Sequence, residues 1–187
     1  LVNNPEKMKV VLECAGSRIL DRDLQIGEIL EVNLDRDIYL QVRDIRLGNP
    51  SWADTPDFFR AGHLKVRINL LSIWRDGPIR IDTLNVSDAR LALLAPSEHL
   101  PNWIFFAADT EQAEGGGESE GLFPLLIRKG NINNSEILYR DSARKVAVNI
   151  ASMVIRERGE GVPSELGLTG TVNEIPLSAT GHIESLA

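Results

Sequence analysis

Strict alternation of apolar and polar residues recurs along this chain, and it constrains the fold more than any other feature. Leu64, Val66, Ile68 and Leu70 alternate with Lys65, Arg67 and Asn69. A period of two puts successive side chains on opposite sides of an extended strand, one row toward a core and one toward water. The same pattern runs through Leu30, Val32 and Leu34 and through Ile38, Leu40 and Val42. With Asp35-Arg36-Asp37 between them, these segments predict a hairpin. Ile79 and Ile81 open a strand over 79–86, and a further strand over 89–95 follows a turn at Ser87-Asp88. The apolar run 122–127 comes next. Segment 136–140 then leads through Asp141-Ser142-Ala143-Arg144 into 145–155, where Val146, Val148 and Ile150 share one face. Strands over 166–172 and 175–183 close the series. Most connections are too short for a helical crossover, so the pairing is expected to be an antiparallel meander. Segments 57–61 and 71–74 read as short helical turns.

One long helix is expected, over 5–20. Pro5 suits a first helical turn and Glu6 the positive helix end. Met8, Val11, Leu12, Ala15 and Ile19 fall at helical spacing as its buried face, with Cys14 a partly buried thiol. The fold class is therefore β-rich α+β. A sheet of eight or more strands with one helix leaves three outcomes open: a closed sandwich, a sheet capped by the helix, or a curved sheet whose apolar face stays open to an aliphatic ligand. Aromatic residues are 5% of the chain, so those faces are lined by Leu, Ile and Val.

Charge narrows the partners. The chain has 20 basic and 27 acidic residues, net -7, and its longest basic run is Arg128-Lys129, which argues against nucleic acid. Five acids and no base fall between Asp109 and Glu120, in a glycine-rich stretch read as a solvated loop between a first lobe (1–108) and a second lobe (122–187). Without a D-x-D-x-D-G pattern, that stretch is no calcium loop. One cysteine excludes an intrachain disulfide. No run of about 20 apolar residues and no signal peptide is present. The missing initial methionine points to a trimmed chain or an internal segment.

Catalytic signatures are sparse. His63, His99 and His182 lack metal-ligand spacing, and no G-x-S-x-G or phosphate-loop motif occurs. Asp21 and Asp23, and Asp35 and Asp37, form two D-R-D triplets, which are more at home as turn residues than as paired acid–base groups. Neither an enzyme nor a cofactor is expected.

Several segments taken in order carry a family resemblance. They are D-I-R-L-G-N-P-S-W-A from Asp44 to Ala53, Pro56 to Ala61, the strands from Leu64 and Ile79, Pro101-Asn102-Trp103, I-R-K-G-N-I-N-N-S-E-I-L-Y-R-D from Ile127 to Asp141, and the Gly170 to Gly181 stretch. The set resembles the N-terminal region of the AsmA family of Gram-negative envelope proteins. The resemblance implies a chorein-like N-terminal unit with a strongly curved, taco-like antiparallel sheet, similar to bridge-like lipid-transfer proteins. It also implies a periplasmic location, an inner-membrane anchor outside this sequence, and a role in phospholipid movement and outer-membrane biogenesis. The groove-lining candidates are the alternating sets: Leu30, Val32, Leu34, Ile38, Leu40, Val42, Leu64, Val66, Ile68, Ile79, Ile81, Val146, Val148 and Ile150. They would hold phospholipid acyl chains. The competing expectation is a scaffold that binds envelope proteins and carries no lipid. Residue by residue, Gly48 and Pro50 make a turn, Trp52 and Trp103 plug the ends of the core, and Asp141 caps a hairpin.

Overall fold

The computed structural model describes residues 5–34, 37–69, 79–105, 125–157 and 164–183. The acidic stretch 109–120 and the segment 71–74 lie outside them. One helix, α1 (Pro5–Leu20), precedes nine strands: β1 (Leu24–Leu34), β2 (Asp37–Gly48), β3 (Asp57–Asn69), β4 (Ile79–Ala95), β5 (Leu125–Ile127), β6 (Lys129–Asp141), β7 (Lys145–Arg156), β8 (Ser164–Val172) and β9 (Ile175–Ile183). All nine belong to one open, curled sheet of order β1-β2-β3-β4-β6-β7-β8-β9, with β5 also paired to β4. The fold is β-rich α+β.

Most neighbours are antiparallel, as short connections require. β4 is the exception, pairing in parallel with both β5 and β6. A parallel neighbour needs a chain long enough to return to the starting end, and the connection after Ala95 supplies that length. The expected turns at 57–61 and at Ser87-Asp88 are not turns. Asp57–Ala61 opens β3, and Ser87-Asp88 lies within the 17-residue strand β4.

Asp88 marks a kink rather than a reversal. Its φ is 56°, and Asp44 on β2 (53°) and Asn134 on β6 (46°) share that left-handed conformation. All three sit at one transverse level of the sheet. Register places Gly27 and Gly62 at the same level on β1 and β3, between the pairs Ile26↔Ile45 and Glu28↔Arg43 and between Ala61↔Ala89 and His63↔Ser87. A left-handed residue reverses the pleat, so residues three apart, rather than two, come to share a face. The apolar spacing follows on β2 and β4, where Val42 and Ile45, and Val86 and Ala89, share a face. Ile26 and Ile29 on β1 and Ala61 and Leu64 on β3 show the same spacing across Gly27 and Gly62, and all eight pack into one core cluster with Ile132. Glycine is required beside Asp44, because a Cβ at Gly27 would stand 2.8 Å from the Asp44 Cβ. The Asp88 carboxylate accepts a 2.6 Å hydrogen bond from Asn134 Nδ2, linking the kinks of β4 and β6.

Helix α1 lies along the outer edge of β1. An exposed strand edge has unpaired backbone groups, and α1 satisfies them with polar side chains. Leu24 N donates to Ser17 Oγ (2.9 Å), Ile26 N donates to Glu13 Oε1 (2.7 Å), and Lys9 Nζ donates to the Gly27 carbonyl (3.2 Å). A stripe of Lys9, Glu13 and Ser17, with Leu12, therefore faces the sheet. Val11, Ala15, Ile19 and Cys14 are exposed, contrary to the apolar face expected from spacing alone. The opposite edge is β9, whose residues are mostly exposed.

Three separate segments meet at one end of the sheet. Asn102 is fully buried. Its Oδ1 accepts from Leu94 N (2.8 Å), and its Nδ2 donates to the Ala92 carbonyl (2.7 Å) and to Asn49 Oδ1 (2.7 Å). Asn49 in turn donates to the Thr55 and Asp57 carbonyls, closing the 49–57 loop. The Trp52 ring stacks on His99, and the Trp103 ring packs near Tyr139. Both indoles are half-buried at this same end rather than plugging two ends.

Asp141 caps the β6–β7 hairpin as expected. Its Oδ1 accepts from Ala143 N (2.7 Å) and Arg144 N (2.6 Å). The Ala143 amide, then that of Arg144, and the Tyr139 hydroxyl hold its carboxyl below the usual value of 3.8. A depressed carboxyl stabilises the fold above its unfolded value and loses that contribution as pH falls through the folded one. Protection of the Ala143 and Arg144 amides, relative to their intrinsic exchange rates, should therefore be lost as pH falls through the lowered Asp141 value, below 3.8, and Asp141→Ala should lack that protection at neutral pH. Unchanged protection in that variant would refute the cap.

Candidate functional site

The face that carries the core cluster runs unbroken across the sheet. One row crosses eight strands as Val32, Leu40, Val66, Leu84, Gly130, Ile155, Leu166 and Gly181, each in register with the next. A second runs Ile29, Val42, Leu64, Val86, Ile132, Met153, Leu168 and Ala179. Beyond the kink a third runs Leu24, Leu47, Phe59, Leu91, Ile137, Val148, Val172 and Ile175. Cross-strand neighbours on one face stand close enough to touch, so these rows form one aliphatic surface.

Of the sequence-derived candidates other than Leu34 and Ile79, all but one fall on it. Val32, Leu40, Val42, Leu64, Val66 and Val148 occupy the rows above. Ile38 pairs with Ile68, and Ile68 with Ile81. Ile150 pairs with Ser135 and Val146 with Tyr139. Leu34 is in register with Ile38, and Ile79 with Leu125. Leu30 departs. The register of β1 shifts between Ile29 and Glu31, so Ile29 takes the place opposite Val42 and Leu30 is 37% exposed. A bulge adds one residue, and period-two reading cannot see it. The residues missed by alternation include Ile26, Ile29, Ile45, Val86, Ile132 and Met153. For the first five the signal was a spacing of three around Gly27, Asp44, Asp88 and Asn134, whereas Met153 follows the bulge between Ile150 and Ser152.

Burial is uneven. Val42, Val66, Ile81 and Ile150 are buried, whereas Val32, Ile38, Leu40, Leu64, Ile68, Val146 and Val148 are only half-buried. Among the described residues the one helix packs beside β1, and its Leu12 reaches the cluster. No second sheet is present there to cover the half-buried rows.

The other face is apolar where Phe58, Ala92 and Leu94 are buried at one end, and polar beside it. Arg46, Arg60, Arg90, Glu136, Asn149 and Thr171 stand in register across it, with Arg90 Nε 2.6 Å from Glu136 Oε2. A hollow of about 620 Å³ opens on this side, lined by Arg60, Arg90, Glu136 and Asn149 among others. Its size does not make it the better site, since Glu136 already pairs with Arg90 and the Asn149 side chain with Thr171.

Among the described residues the candidate acid–base groups stay apart. Asp23 lies beside Gly48 at one end of β2, and Asp37 begins that strand at the other, so the two D-R-D triplets are kept apart. Asp35 lies outside the described residues. Asp54 is held below the ordinary carboxyl range by its hydrogen bond from Arg140, which is itself raised by the same partner. Both are surface groups, so the pair contributes little to stability. Among the described residues no three His, Cys, Asp or Glu side chains gather as a metal site, and no helix is long and apolar enough to cross a membrane. Comparison of the chain with protein-family models, with curated proteins and with solved structures finds no match.

Proposed function

We propose that this chain is a lipid-binding groove module, in which phospholipid acyl chains lie along the aliphatic sheet face while headgroups remain in water. The observation that supports this most is the half-buried, unbroken apolar surface across eight strands, beside which the described residues place one helix and no second layer. A soluble protein ordinarily covers such a surface. An acyl chain gains about 0.8 kcal/mol per buried CH2, so a continuous strip offsets the cost of a two-chain lipid leaving a bilayer. In this proposal the sheet curls into a taco-like trough, with the kink line through Asp44, Asp88 and Asn134 as its fold. The AsmA-like order of motifs adds a setting: a periplasmic module of an inner-membrane-anchored protein serving phospholipid movement in outer-membrane biogenesis.

Native mass spectrometry of the purified chain tests the reading. Co-purified phospholipid is expected, lost on mild delipidation and regained from vesicles. A folded protein that carries no lipid and takes up none would sink the groove and leave the scaffold role.

A further inference from the structure

The outward side of α1 is the feature that neither the sheet nor the groove explains. Val10, Val11 and Ile19 are 63%, 59% and 63% exposed, among the most exposed large apolar side chains described. At 100° per residue, Val10, Cys14, Lys7, Arg18, Val11 and Ala15 share one arc of about 140°, with Ile19 at its margin. All of them are exposed. The two acids of the helix fall outside this arc, and Glu13 is turned inward to bind Ile26 N. The outward surface is thus aliphatic and cationic, in a chain whose net charge is -7.

We infer that α1 seats this face on an anionic lipid surface. An interfacial helix buries one aliphatic side shallowly in the headgroup region and answers lipid phosphates with Lys or Arg. Lys7 and Arg18 stand near the two ends of the stripe, and the helix, about 24 Å long, can lie flat along it. Charge complementarity favours an anionic surface over a neutral or basic partner, and short aliphatic side chains between two cations suit the headgroup region of a bilayer. Edge capping by Lys9, Glu13 and Ser17 fixes the helix so that the stripe faces away from β1. The inference does not require that lipid enter the groove.

Cys14, the one cysteine of the chain and exposed in the middle of the stripe, provides the probe. A polarity-sensitive fluorophore on Cys14 should shift to the blue with phosphatidylcholine vesicles containing phosphatidylglycerol. It should shift little with phosphatidylcholine alone, and the effect should fade with added salt. Co-sedimentation of unlabelled protein should agree. The double variant V10S/V11S should weaken partitioning by about tenfold or more, and Lys7→Gln with Arg18→Gln should abolish the preference for phosphatidylglycerol. All of these side chains are exposed, so the thermal midpoint should hold. The inference is overturned if unlabelled protein fails to sediment with anionic vesicles, or if V10S/V11S binds as the parent does. It is also overturned if binding instead disappears on a groove change such as Leu64→Asp in a protein that remains folded, or if the stripe is buried in a dimer that ignores vesicles.

Discussion

Asn102→Ala should lower the free energy of unfolding by about 3–5 kcal/mol, the sum of three buried hydrogen bonds and the groups left without partners. The amide of Leu94, the carbonyl of Ala92 and the Asn49 side chain all depend on Asn102. The Leu94 amide and the Ala92 carbonyl meet Asn102 in buried bonds, so cutting back the side chain leaves them unpaired. Asn102→Asp should cost nearly as much, since it keeps the acceptor for Leu94 but loses both donations and buries a charge. Urea unfolding of the two variants measures this. A loss below about 1 kcal/mol for Asn102→Ala would mean that the segment around Pro101 is not pinned to β4 and that the end of the sheet opens freely.

The kink line gives the second large effect. Replacing Asp44, Asp88 and Asn134 together by valine should destabilise by roughly 3–6 kcal/mol, because each position has a left-handed backbone that costs an L residue about 1–2 kcal/mol and a β-branched one more. Glycine at the same three positions should be nearly neutral. The contrast separates backbone from side chain: equal stability of the two triple variants would show that the kinks do not depend on left-handed geometry. If the valine protein folds by straightening its strands, Ile45, Ala61 and Ala89 turn to the face opposite Val42, Leu64 and Val86. The apolar surface is then split in two, and lipid capture should fall with it.

What the sequence made legible was local. The hairpin between β1 and β2, the bounds of β9 and the Asp141 turn each rest on residues within a few positions of one another, and the structure agrees with each. The β8–β9 connection is equally local, with Asn173 and Glu174 at φ 47° and 70° making the tight turn a hairpin prefers. What was hidden depends on the sheet as a whole. Phe58-Phe59 looked helical because adjacent apolar residues break alternation. In the sheet, Phe59 joins the apolar row while Phe58 packs edge-on against Phe105 on the other side. Ile132 stands alone among asparagines and signals no strand, yet it completes a row begun on β1. The inverted helix is the plainest case. Spacing shows that α1 has an apolar side, but only the unpaired amides of Leu24 and Ile26 decide that the polar side faces inward. The motif set that carried the family resemblance was legible only as an order of residues. Folding brings three of its segments together at one end of the sheet, where Asn49 meets Asn102 and Trp103 approaches Tyr139, with the neighbouring Asp54 paired to Arg140.

The two margins of the sheet are chemically unlike. On β1 the amides of Leu24 and Ile26 and the carbonyl of Gly27 are occupied by α1. On β9 the backbone faces outward along nine residues that include no Lys, Arg, Asp or Glu, and Pro176 is the one position without a donor. Charge and proline are the usual guards against strand addition, and β9 has only Pro176. Among the described residues the sheet therefore has a polarity: a strand approaching β1 at Leu24–Gly27 meets a helix, while one approaching β9 meets a ladder broken only at Pro176. A strand added beside β9 would extend the rows that begin at Leu24, Ile29 and Val32.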